Sequence, residues 1–108
     1  MIVKAGSKGY NKVLEGVTIK NLVHGEKTHL IQVKLKKGTV VPEHQHHQEQ
    51  SGYMISGSLR FFRGKEEAIA LPGDSWVFAG ETPHGAEALE DTVVIELFSP
   101  VREDYLKL

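Results

Sequence analysis

Turn-forming residues interrupt this chain too often to leave room for a long helix, and the segments between them repeat with a period of two. Ser56-Gly57-Ser58, Pro72-Gly73-Asp74 and Ala79-Gly80-Glu81-Thr82-Pro83 each break an apolar run, and eleven glycines and four prolines are spread over 108 residues. In residues 29–36, Ile31, Val33 and Leu35 alternate with Gln32, Lys34 and Lys36, the pattern of a strand with one buried face. Residues 53–55 and 59–62 flank Ser56-Gly57-Ser58 and read as a hairpin whose glycine permits the tight turn. Residues 68–71, 75–78 and 84–89 are further short extended runs. Many short strands separated by turns predict an all-β sandwich or barrel in one domain, 1–108, large enough to bury a core of its own.

Charge and cysteine content narrow the partners. Thirteen basic residues against fourteen acidic ones leave a net charge of -1, and no basic cluster offers the face that phosphate binding needs, so nucleic acid is not an expected partner. Lys34, Lys36 and Lys37 mark the solvated face and end of a strand. Cysteine is absent, so any metal site must use nitrogen and oxygen ligands. The first residues carry no long apolar run behind a basic segment, and the expectation is a cytoplasmic protein without a signal peptide or membrane span.

Four side chains from two distant segments form a candidate metal site: His44, His46, Gln50 and His84. Residues two apart on a strand share a face, so the spacing predicts that His44 and His46 offer imidazoles to one ion while Gln45 points away. His84 supplies a third imidazole, and an amide oxygen adds a harder ligand suited to a mid-row divalent ion. Glu49 is the rival to Gln50, since a strand bulge would exchange them. His47 is expected on the opposite, surface face, and His24 in a turn. His29 reads as a satisfied core histidine, and Trp76 and Phe78 as core.

These residues resemble the two motifs of the cupin superfamily. Gly38, His44, His46 and Gly57 fall in register with the first motif, with Gln50 at the position that is usually Glu; Gly73 and His84 match the second. Ala79, Glu81 and Ala88 stand where the family usually has Pro, Gly and Asn. The resemblance implies a jelly-roll cupin barrel over nearly the whole chain and one bound divalent ion, with Mn, Fe, Ni and Zn all compatible.

The last strand, Thr92 to Ser99, is apolar on both faces and is expected to be covered on both. Its lone Glu96 needs a partner, water or a role at a site, and Arg102, after the bend at Pro100, is one candidate for an ordinary ion pair. This region also resembles the C-terminus of small cupins of pectin and alginate breakdown, which convert 4,5-unsaturated monouronates to a linear keto form. Their Asp-x-Phe-Ser-Pro-x-Arg pattern is matched by Glu96, Phe98 and Arg102, with Glu in place of Asp. That resemblance implies a small anionic sugar acid as substrate, with Arg102 on its carboxylate, Glu96 moving a proton and Phe98 as an apolar wall. It also implies a homodimer, as does the stripe Val93, Ile95 and Leu97, unless residues 1–3 fold over that stripe within one chain. A non-haem iron cupin dioxygenase and a non-catalytic small-molecule-binding cupin share the same expected ligands.

Overall fold

A computed structural model describes all residues, 1–108. Ten strands precede one short helix: β1 (Tyr10–Leu14), β2 (Val17–His24), β3 (His29–Leu35), β4 (Val40–His44), β5 (Glu49–Ser56), β6 (Leu59–Arg63), β7 (Glu66–Ala70), β8 (Ser75–Phe78), β9 (His84–Ala88), β10 (Thr92–Ser99) and α1 (Glu103–Leu106). They form a six-stranded sheet in the order β1-β2-β3-β10-β5-β8 and a four-stranded sheet in the order β4-β9-β6-β7, with every pairing antiparallel. The all-β expectation holds, and the last strand has the bounds that its sequence suggested.

The hairpin expected around Gly57 does not form. β5 pairs with β10 and β8, whereas β6 pairs with β7 and β9, so the turn at 57–58 carries the chain from one sheet to the other. The reason lies in the core: Met54 before the turn and Leu59 after it are both buried, and placing them on facing sheets lets both fill the interior.

That interior takes Val17, Ile19, Ile31, Leu35, Met54, Val94 and Phe98 from the larger sheet and Leu59, Ala70, Ala86 and Ala88 from the smaller. Each large side chain contributes about 1.5–3 kcal/mol by leaving water. The small residues of β9 leave space opposite β10, and a cavity of about 110 Å³ remains, bounded in part by Gln50, His84, Glu96 and Phe98.

β10 is covered on one side only, contrary to the sequence reading. Thr92, Val94, Glu96 and Phe98 point inward and are buried, while Leu97 is exposed and Val93 and Ile95 are half-buried on the outer face. Residues 1–3 do not cover that stripe. Met1 and Val3 border a groove with Lys20, Leu22, Val23 and Leu30, on β2 and β3.

Candidate metal centre

His44 and His84 come together through sheet register. They are paired residues of β4 and β9, brought opposite each other by an irregularity between Val41 and His44. His46 arrives differently from the sequence expectation: β4 ends at His44, so His46 lies in the loop before β5, and strand alternation does not place it. Contact with the β8–β9 loop does. The backbone N–H of Glu81 donates to the carbonyl of His46 at 2.7 Å, and Gly80 packs so closely that a Cβ there would lie 2.3 Å from the carbonyl oxygen of His47. Gln50 follows on β5, buried, while Glu49 is exposed on the other face. No bulge exchanges them, and His47 is exposed as expected.

The three imidazoles are oriented alike. Nδ1 of His44 lies 2.9 Å from the carbonyl of Pro42, Nδ1 of His46 lies 3.0 Å from that of Gln48, and Nδ1 of His84 lies 2.7 Å from that of Thr82. A carbonyl only accepts, so each Nδ1 carries the proton and each Nε2 keeps its lone pair. Ligand atoms of the three rings lie within 4.8 Å of one another. The Nε2 atom of His84 is buried with no hydrogen-bond partner, and an orphaned buried acceptor is costly.

Gln50 repeats the pattern. Its side chain neighbours the Glu96 carboxyl and opposes the rise in that group's pKa, and its Oε1 lies 3.0 Å from Nε2 of His46. Two acceptors facing each other at that distance are reconciled by a cation between them. The donor set fits a divalent transition ion with three imidazoles and one amide oxygen, the carbonyl contacts supplying the outer support typical of metal-ligating histidine. Burial is the main reason that the pKa values of His46 and His84 are pushed down, with the Arg102 charge adding to the effect at both; neutral rings are the ligating form.

Glu96 sits behind Gln50 on an adjacent strand. Burial pushes its carboxyl up to about 8, against the opposing hydrogen bonds from Gln50 and Trp76. The indole Nε1–H of Trp76 donates to Oε2 of Glu96 at 3.3 Å. This contact crosses three strands, because Gly52 of β5 is the register partner of both Trp76 on β8 and Glu96 on β10. Gly52 must be glycine here: a Cβ would come within 2.1 Å of the indole ring. Trp76 is therefore more than core, which its place in a short apolar run did not reveal.

Phe98 lines the same cavity, and Arg102 packs over Phe98. Phe98 is buried and meets the His46 ring edge-on, with centroids 5.8 Å apart, while Phe78 stacks on His84 at 4.4 Å. The Arg102 guanidinium lies over the rings of Phe98 and Tyr105, 5.0 and 4.0 Å from their centroids. It forms no ion pair with Glu96. Its Nε and Nη2 donate to the carboxylate of Asp104 at 3.1 and 2.9 Å, because the short helix turns Asp104 back towards it. Tyr105, not singled out from the sequence, borders the cavity and has its pKa pushed up by burial.

The cupin domain family matches residues 31–99, well over half of the chain and the span that carries all four candidate ligands. This chain is a cupin. It is 29% identical over 94 residues to the pectin degradation protein KdgF of Dickeya dadantii, an alignment that covers 85% of this chain and 86% of that protein. The structure of KdgF from a Halomonas species superposes with a TM-score of 0.89 at 34% identity, covering 96% of this cupin and 98% of that chain. Oxalate decarboxylase OxdC of Bacillus subtilis is 31% identical over 80 residues, which span 69% of this cupin but 21% of OxdC.

One departure from the usual cupin motif now has a physical meaning. Glu81, at the position that is usually glycine, has a φ of 61° and is the one residue other than glycine with a positive φ. The cupin keeps the left-handed turn that joins its two histidine loops, at the cost that a Cβ imposes there.

Proposed function

We propose that this cupin holds one divalent transition-metal ion on His44, His46, Gln50 and His84 and opens the ring of a 4,5-unsaturated monouronate to its linear keto form. The observation that carries the reading is the meeting, at one cavity end, of an all-neutral ligand set and a buried carboxyl group with its pKa near 8. The likeness to KdgF, named for pectin degradation, supports the substrate class. When bound, the ion supplies Lewis acidity that polarises the hemiacetal and ring oxygens. Mn, Fe, Ni and Zn all suit the ligands.

Neutral ligands leave the charge of a divalent ion uncompensated, so the site favours an anion. Arg102 binds the uronate carboxylate, which replaces the exposed Asp104 on the guanidinium fork. The reaction is an isomerisation: the hemiacetal hydroxyl loses a proton, the ring C–O bond breaks to give an aldehyde and an enol, and a proton added at carbon yields the ketone. Glu96 moves that proton, and a carboxyl group titrating near neutrality suits giving and taking it. Phe98 keeps water from this end of the cavity.

Arg102→Ala should weaken binding and turnover together, whereas Glu96→Gln should mainly lower the maximal rate, by about 10²- to 10⁴-fold. Full activity in the Gln variant would remove Glu96 from this role. A non-haem iron dioxygenase would use the same three imidazoles, and oxygen uptake by iron-loaded protein with an organic substrate separates it from the isomerase. The exposed side chains of Tyr53, Ile55, Val77 and Leu97 on the outer face of the larger sheet support a homodimer paired through that face.

A further inference from the structure

Arg102 stands beyond the last strand, at the start of a four-residue helix, too short a helix to be stable by itself. Its place depends on polar side chains that rise from the barrel. His29 on β3 is fully buried and uses both ring nitrogens: Nδ1 accepts the backbone N–H of Arg102 at 3.2 Å, and Nε2 lies 2.7 Å from Oδ1 of Asn21. Asn21 is fixed at its other end, where Nδ2 donates to the carbonyl of Tyr105 at 2.8 Å. Oδ1 can therefore only accept, the His29 proton belongs on Nε2, and Nδ1 remains an acceptor for Arg102.

Two side chains on adjacent strands thus grip both ends of one turn, the N–H of Arg102 and the carbonyl of Tyr105. Between those points the guanidinium rests on the rings of Phe98 and Tyr105. Burial, and then the charges of His24 and Arg102, push the pKa of His29 down, so the ring stays neutral. A leucine would serve a purely apolar core position equally well, and burying an imidazole is costly unless its polar atoms are satisfied. Here both are satisfied, one of them by the residue that meets the substrate.

We propose that His29, oriented by Asn21, is a positioning residue for Arg102: it fixes the backbone from which the guanidinium reaches the substrate carboxylate. The inference rests on the reading of Arg102 given above. In this arrangement His29 touches no substrate atom and acts only through the Arg102 amide. The imidazole can be dissected, because asparagine places an acceptor where Nδ1 stood, whereas leucine offers none.

The test follows the Arg102 amide and the kinetics of the metal-loaded full chain in His29→Leu, His29→Asn and Asn21→Ala. In His29→Leu, amide exchange at Arg102 should quicken by about tenfold or more while Glu96 and Phe98, inside β10, keep their protection. KM for an unsaturated monouronate should rise by about tenfold with a much smaller change in kcat. His29→Asn should restore both, and the partly buried Asn21→Ala, which leaves the barrel core intact if the Leu variant fails to fold, should shift both in the same direction by less. Unchanged exchange at Arg102 would overturn the proposal, and so would faster exchange with an unaltered KM. Absence of turnover in the unaltered protein would refute the reaction rather than the grip on Arg102, which amide exchange then decides alone.

Discussion

His44 and His84 are register partners on β4 and β9, with ring centroids 4.6 Å apart and each Nδ1 tied to the carbonyl two residues before it. Two lone pairs are thereby aimed at one point before any ion arrives, so binding should stabilise the fold without rearranging it. At a metal concentration about a thousand times Kd, the gain should be about 4 kcal/mol, and His84→Ala should lose that increment. Thermal unfolding with and without chelator measures it.

Two of the candidate ligands, His46 and His84, set the response to acid. Their folded pKa values lie below the ordinary 6.5, so between the two values the unfolded chain holds more protons than the folded one. Their contribution to stability is complete above 6.5 and is lost as pH falls through the lowered values. Metal affinity should fall over the same window, because only neutral imidazole ligates. Trp76, the single tryptophan, donates to Glu96, which Gln50 also contacts, and its fluorescence should follow the titration.

Glu96 responds with the opposite sign. Its folded pKa is near 8 against an ordinary 4.5, so the folded chain holds a proton that the unfolded chain has lost. Metal-free protein should therefore lose stability as pH rises from about 4.5 to about 8, by an amount on the order of a few kcal/mol. Glu96→Gln should flatten this slope. Denaturant unfolding across that range, in chelator, compares the two.

Gly52→Ala places a methyl group in the path of the Trp76 indole. Overpacking of this kind costs about 1–3 kcal/mol, and the variant should also lose the Trp76 contact to Glu96. A shifted emission maximum together with a lower unfolding midpoint is the expected result.

Much of this fold can be read from the sequence, for identifiable reasons. Ile31, Val33 and Leu35 alternate with polar residues on a strand with one solvated face, and the two histidine segments carry motif spacing, so β3 and the meeting of His44, His46 and His84 are legible. Sheet membership is not: Ser56-Gly57-Ser58 suits a hairpin locally, and the corner results from a core that needs Met54 and Leu59 on facing sheets. His46 reaches the site through a contact between loops, which strand periodicity does not encode. The roles of Trp76 and His29 depend on register across three strands and on a helical turn 73 residues away in sequence, information that no local pattern contains.

Glu81→Gly should stabilise the protein by up to about 1 kcal/mol, because glycine adopts the left-handed turn freely, partly offset by the greater entropy of the unfolded chain. Metal affinity should stay unchanged, since the backbone N–H that holds His46 is kept. Chemical denaturation and a metal titration of the variant check the two halves of this expectation.

The most direct test incubates the protein with a 4,5-unsaturated monouronate and follows loss of the ultraviolet absorbance of its conjugated double bond, in parallel with metal analysis of the same sample. Metal-loaded protein should accelerate the decay, and chelated protein and His84→Ala should not. A decay no faster than the uncatalysed rate with every divalent ion tried would contradict the proposed reaction.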